Sequence, residues 1–154
     1  GDVYKRQVMD GYYNNPEASN TVLSPDGWLH TGDLGVLDPD GYLYIKGRSK
    51  SLILGPSGQN IYPEEIEDLL NAQPYIAESL VIEREGKLVA LVYPDAEAMK
   101  QNKISRETLL KIIHETRKQI NQQLPAYSQI ARLEIHDEEF EKTPKRSIKR
   151  FLYQ

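Results

Sequence analysis

A chain of 154 residues has room for one ordinary domain, or for one domain and part of another. Its 39% hydrophobic and 27% charged residues are those of a soluble globular protein, and a net charge of −4 supplies no basic field for nucleic acid. With no cysteine there is no disulfide framework, no thiol nucleophile and no Cys-based zinc site; no apolar run reaches the roughly 18 residues of a membrane span, and no signal peptide is visible, so a cytoplasmic protein is expected.

The first residues are foreign in character. Asp2-Val3-Tyr4-Lys5-Arg6-Gln7 is what the codons GAT GTG TAT AAG AGA CAG encode, a string that matches a transposase sequencing adapter read in frame. Residues 1–7 are therefore expected to be adapter-derived and are set aside from fold reasoning. In the stretch that begins at Val8, Tyr12 and Tyr13 are expected to be packing residues. Two strands follow near 34–37 and 42–46. Asp38-Pro39-Asp40-Gly41 between them is a strong turn signal, in which the aspartates cap backbone N–H groups rather than bind metal. Tyr42, Tyr44 and Lys46 alternate with Leu43 and Ile45, the pattern of a half-buried strand.

Gly47-Arg48-Ser49-Lys50-Ser51 is a polar basic joint with no apolar residue before Leu52. Leu52-Ile53-Leu54 reads as a short buried strand, and Gly55-Pro56-Ser57-Gly58 must turn. Pro63 suits the first position of a helix over 63–72, and Glu64 and Glu65 sit where the helix dipole favours negative charge. Residues 79–83 and 87–93 read as paired strands about Arg84-Glu85-Gly86, with Val81, Val89, Leu91 and Tyr93 supporting a sheet with one buried face. The longest helix is predicted over 106–124. Ser105 is its N-cap, Leu109, Ile112, Ile113, Ile120 and Leu124 form its apolar stripe, and Pro125 stops it. A last strand over 130–135 precedes the acidic turn Asp137-Glu138-Glu139 and a basic tail, residues 142–150. There is no internal repeat and no low-complexity tract.

The joint and the loop after it, from Gly47 through Glu67, closely resemble the hinge region of adenylate-forming enzymes, in particular the bacterial long-chain fatty-acid–CoA ligases. Trp28-Leu29-His30-Thr31-Gly32-Asp33-Leu34-Gly35 resembles that family's ribose-binding motif, and the similarity runs from about Val8 to the last residue. The resemblance implies an α+β fold, the small C-terminal lid domain of the adenylate-forming fold at 51–154. A hairpin remnant of the large N-terminal AMP-binding domain would lie at 8–47, with a hinge at 48–50. Residues 51–154 are expected to fold by themselves, and 8–47 to be poorly ordered without the rest of that domain.

The same resemblance implies roles. Asp33 would hold the ATP ribose, since a carboxylate can accept two hydrogen bonds from vicinal hydroxyls. Thr31 would help near the phosphates, Arg48 would contact ATP or AMP through its planar fork, and Lys50 would be the hinge itself. Gly58, with Ser57 and Gln59, would border the passage for the CoA pantetheine. Relatives carry a lysine before the Ile-x-Arg of the tail, where it neutralises charge at the α-phosphate. Aligned through Ile148 and Arg150, this chain has Ser147 there, which leaves Lys149 and Lys145 as the cations that would serve. The expected reaction uses ATP, Mg²⁺, CoA and a fatty acid, with no resident metal among these residues. A piece lacking the acyl pocket is not expected to form acyl-CoA alone. An acyl-AMP ligase serving a carrier protein, and a non-catalytic CoA- or nucleotide-binding module, are the other readings; the lipid-like substrate leaves peripheral membrane contact open, and oligomeric state is not legible.

Overall fold

The computed structural model describes residues 8–154, and the adapter-like stretch lies outside the described residues. The chain divides into a first unit that ends at Ile45 and a second of Lys46–Gln154.

In the first unit, helix α1 (Pro16–Val22) is started by Asn15, whose Oδ1 accepts the Ala18 N–H at 3.0 Å, with Pro16 in the first turn. The expectation that the nearby tyrosines pack is wrong: Tyr12 is half exposed and Tyr13 is 96% exposed. The segment is docked by backbone instead, the Tyr12 N–H donating to Ser19 Oγ at 2.8 Å. Strand β1 (Asp33–Leu37) pairs with β2 (Leu43–Arg48) in a two-stranded sheet. The turn between them is built as its sequence requires. Asp38 accepts the Tyr42 N–H on its side chain at 2.8 Å and the Gly41 N–H on its carbonyl at 3.0 Å, and Gly41 takes φ +87°. The half-buried reading of β2 fails, because Leu43 and Ile45 are as exposed as Tyr42 and Tyr44. A two-stranded ribbon has no second layer of its own to cover either face.

The second unit is an α+β domain. A 3-10 turn at Ser49–Ser51 leads into the short antiparallel pair β3 (Ile53–Leu54) and β4 (Asn60–Ile61). Only Ile53 is buried in β3; Leu54 is exposed, since alternate residues of a strand face opposite sides and one side here is open. Helix α2 (Pro63–Asn71) ends one residue earlier than expected and buries Pro63, Ile66, Glu67 and Leu70. Strands β5 (Ile76–Arg84) and β6 (Lys87–Pro94) pair antiparallel about the two-residue turn Glu85-Gly86, where both residues have positive φ (52° and 72°). Helix α3 (Ala96–Gln101), absent from the sequence reading, is capped by Asp95, whose Oδ1 accepts the Ala98 N–H at 2.9 Å. Helix α4 (Arg106–Gln123) starts at Ser105 as expected and hands Leu124 to its C-cap. It brings β7 (Ile130–Ile135) back parallel to β6, so the sheet order is β5-β6-β7.

The sheet has two buried faces, not one. Val81, Leu88, Ala90 and Val92 join Ile66 and Leu70 of α2 and Leu109, Ile113 and Ile120 of α4 in the larger core. Leu80, Ile82, Val89 and Leu91 face the other way and are covered by Phe140, with Tyr93, Ile148 and Tyr153 packed around them. The sequence pattern grouped Val81 with Val89 and Leu91, which lie on opposite faces. Continuous apolar runs at 80–82 and 88–92 are the signature of strands covered on both sides. The second cover is the C-terminal segment from Phe140 to Tyr153, which includes the basic tail.

Candidate functional site

Thr31 and Asp33 are brought together by the residue between them. Gly32 takes φ +77°, a left-handed conformation that favours glycine, and this turns the Thr31 hydroxyl back to accept the Asp33 N–H at 3.1 Å. Both residues are exposed, and Asp33 stands at the first position of β1. Its carboxylate carries two acceptor oxygens, a group able to accept hydrogen bonds from the two hydroxyls of a diol. His30 is also exposed and donates its backbone N–H to Val22 O at 2.7 Å.

The joint lies on the second unit. Arg48 ends β2 and, with Ser49 and Lys50, is exposed. The residues just before it are held. Lys46 Nζ lies 2.8 Å from Glu65 Oε1 in the first turn of α2, and that bond raises the Lys46 pKa. Gly47 lies so close to the side chain of Glu64 that a Cβ would sit 2.7 Å from Glu64 Oε2. Two acidic residues that the sequence presents as dipole partners of α2 thus clamp the approach to the joint.

The glycine-rich loop is closed on itself. Gly55 N–H donates to Gln59 O at 2.8 Å and Gly58 N–H donates to Gly55 O at 2.9 Å, while Gln59 Oε1 accepts the Ser57 N–H at 3.2 Å. Gly58 takes φ +80° with nothing within 4 Å of where a Cβ would lie. Its need for glycine is therefore conformational, and the space above it is open. Ser57 and Gln59 line a cleft of about 660 Å³ whose other walls include Leu88, Tyr127 and Gln129.

The tail is a hairpin. Lys142 and Ile148 form an antiparallel bridge, Thr143 N–H donates to Ser147 O at 2.8 Å, and Lys149 N–H donates to Glu141 O at 2.8 Å. Ser147 is exposed on this turn. Of the two cations singled out in the sequence, Lys145 is exposed at the tip. Lys149 lies in the stem with its Nζ 3.0 Å from Glu141 Oε2. Arg146 occupies the tip with φ +62°, in the left-handed region.

Sequence reasoning missed Glu67 and Arg150. Glu67 is 8% exposed on the apolar face of α2; its Oε1 accepts the Val81 N–H at 2.6 Å, and its Oε2 accepts from Arg150. Burial pushes its carboxyl above the usual range, with Arg150 and the Val81 N–H pulling in the opposite direction. The signal was present: positions 63, 66, 67 and 70 share one face of a helix, and an acidic residue inside that stripe needs a partner. Among the described residues no cluster of three or more His, Cys, Asp or Glu side chains could hold a metal ion, and no helix is long and apolar enough to cross a membrane.

Set beside known proteins, residues 50–153 match the family model described as the AMP-binding enzyme C-terminal domain. The chain is 48% identical over 89 residues to indoleacetate–CoA ligase of Aromatoleum aromaticum, covering 55% of this chain and 17% of that protein. It is 40% identical over 88 residues to a long-chain-fatty-acid–CoA ligase of Gallus gallus, covering 56% of this chain and 12% of that protein. Among solved structures it resembles O-succinylbenzoate coenzyme A synthetase from Bacillus subtilis in complex with AMP. That match has a TM-score of 0.67 and 28% identity, over 95% of this chain and 28% of the other. The chain spans less than a third of each of these proteins.

Proposed function

The chain belongs to the AMP-binding enzyme C-terminal domain family, and from that premise we propose that it is the lid-bearing part of an ATP-dependent acid–thiol ligase. In the first half-reaction a substrate carboxylate oxygen attacks the ATP α-phosphorus, and pyrophosphate leaves. In the second, the CoA sulfur attacks the acyl carbonyl, and AMP leaves. The observation that carries this reading is the family match over 50–153, joined at its start to the exposed basic joint at 48–50.

The residues divide the work between the two steps. Asp33 accepts hydrogen bonds from the ribose hydroxyls, with Thr31 beside it and Arg48 donating to nucleotide oxygens. Rotation about Lys50 exchanges the surface that faces the nucleotide, so one lid serves two reactions. In one orientation a tail cation, Lys145 or Lys149, offsets charge at the α-phosphate. In the other, the loop carrying Ser57, Gly58 and Gln59 borders the pantetheine passage, where the absence of a side chain at Gly58 leaves room for the thiol arm. Mg²⁺ arrives with the ATP phosphates as part of the substrate. The described residues hold no cluster that fits a metal, and none of these roles depends on it.

Within this class we take the acid to be a long-chain fatty acid. Support comes from the resemblance of 47–50 and 55–63 to ligases of that kind and from the relative in Gallus gallus. The test is full-length enzyme carrying this chain, offered ATP and a panel of acids from fatty acyl to indoleacetate and succinylbenzoate, with acid-dependent pyrophosphate release as the readout. Preference for the long-chain acids bears the reading out, and preference for an aryl acid overturns it while keeping the ligase class. No release with any acid would leave a non-catalytic binding module, and transfer to a carrier protein in place of CoA would make it an acyl-AMP ligase. The 154-residue chain by itself is expected to form no acyl-CoA.

A further inference from the structure

The tail hairpin has two kinds of cation. In the stem, Lys142 reaches Glu78 at 2.7 Å and Glu139 at 2.6 Å, and Lys149 reaches Glu141 at 3.0 Å. These charges hold the hairpin's shape. At the tip, Lys145 and Arg146 are exposed. The base of the hairpin is packed down as well, with Phe140 buried and the Tyr153 hydroxyl accepting the Glu141 N–H at 2.8 Å.

One residue fixes the hairpin's far end to the rest of the domain. Arg150 Nη1 donates to Val81 O at 3.2 Å, and Nη2 donates to Glu67 Oε2 and lies 3.8 Å from Glu64 Oε1. Glu67 returns to the same residue, accepting the Val81 N–H at 2.6 Å. One Arg–Glu pair thus closes both backbone groups of Val81 on β5, an outer strand of the three-stranded sheet. The pair joins the arginine's own segment to two others, 69 and 83 positions away from it.

A buried ion pair is a poor way to gain stability, because desolvation offsets most of the attraction and an apolar pair of equal volume would serve as well. What it supplies is direction. A planar guanidinium held at two points has one orientation, and it lies directly after Lys149, where the hairpin ends. We propose that Arg150 is a positioning residue for adenylation, fixing with Glu67 the angle at which the hairpin presents Lys145 and Arg146 to the nucleotide phosphates. This rests on the ligase reading above. The strained φ of Arg146 fits a tip whose conformation is imposed by its anchored stem rather than chosen by its own residues.

The experiment has two arms. In the 154-residue chain, amide hydrogen exchange at Thr143, Arg146 and Lys149 is compared between wild type, Arg150→Lys (charge kept, fork lost) and Glu67→Gln. Exchange at these amides is expected to rise about tenfold or more in both variants, with the β6 amides changed by less than about twofold. In the full-length ligase carrying this chain, the same variants are expected to lower kcat for acid-dependent pyrophosphate release about tenfold or more, while thioester formation from supplied acyl-adenylate stays within about twofold. Unchanged exchange at the tail amides, or equal loss in both half-reactions, makes the pair a purely structural contact and overturns the proposal. Should Arg150→Lys fail to fold, Glu67→Gln gives the same comparison. A wild-type enzyme that releases no pyrophosphate sinks the ligase reading and the adenylation role with it; the exchange arm still decides whether the clasp holds the hairpin.

Discussion

Asn121 of α4 and Ile130 of β7 bond each other twice. The Ile130 N–H donates to Asn121 Oδ1 at 2.8 Å, and Asn121 Nδ2 donates to Ile130 O at 3.0 Å. A side-chain amide reproduces the donor–acceptor pair of a neighbouring strand and satisfies the backbone where β7 begins, beneath a residue only 1% exposed. Asn121→Ala strips both partners from a buried peptide, and a loss of about 2–4 kcal/mol is expected in urea unfolding of the 154-residue chain. Asn121→Asp keeps the acceptor but sets a carboxylate against the Ile130 carbonyl, so it should not restore the wild-type value.

Arg146 holds φ +62° at the tip of the tail hairpin. Left-handed backbone costs an L-residue roughly 1–2 kcal/mol, and glycine avoids that cost while adding some unfolded-state entropy. Arg146→Gly is therefore expected to stabilise the chain by about 0.5–1 kcal/mol, read as a higher urea midpoint at unchanged slope. A lower midpoint would mean that the arginine side chain contributes more than its backbone loses.

The pH dependence of Glu67 has the opposite sign to that of the exposed acids. Its carboxyl is raised above the ordinary value of 4.5 chiefly by burial. The folded state then holds the proton more tightly than the unfolded chain does. The associated stability is complete below the unfolded pKa and is lost as pH rises through the folded one. Asp137, lowered by Arg106, and Glu139, lowered by Lys142, instead contribute stability above their ordinary values that disappears as the solution becomes more acidic. Comparing wild type with Glu67→Gln by urea unfolding over a pH series isolates the first effect. Stability of the wild type relative to the variant should fall as pH rises from 4.5.

Gly58→Ala meets no atom within 4 Å but inherits φ +80°. The expected cost is conformational, about 1 kcal/mol in the stability of the chain. On the proposed reading, in which this loop borders the thiol passage, the same substitution in full-length enzyme should slow thioester formation more than pyrophosphate release. Equal slowing of both steps would remove the loop from that passage.

If Asp33 holds the ribose as proposed, Asp33→Ala should raise the KM for ATP in full-length protein carrying this chain by roughly tenfold to a hundredfold, the worth of charge-assisted hydrogen bonds. Asp33→Asn, which keeps one acceptor oxygen, should fall between. An unaltered KM in both variants would assign the ribose to another residue.

Much of the local structure was legible because its signals are short. Asp38 and Gly41 specify their turn within four residues, Ser105 caps α4 by accepting the Thr108 N–H at 3.1 Å, and Gly32 and Gly58 mark their left-handed positions by identity alone. Helix α3 escaped because six residues hold too few turns to show a period, and Asp95, its cap, also reads as a loop residue. The second face of the sheet escaped for another reason. Alternation tells which residues share a side, but only the path of the tail decides whether that side is covered.

Residue order alone determined the starts of α2 and α4, the Asp38–Gly41 turn and the family likeness of the joint and loop, since each is encoded by neighbours that meet whatever the rest of the chain does. Tertiary structure alone decided that the tail packs on the sheet, that Lys149 is paired with Glu141 while Lys145 stands at the tip, and that Glu67 and Arg150 meet across 83 positions. Such distant pairs form only after the sheet has brought their segments together, and desolvation then makes each of them depend on the other.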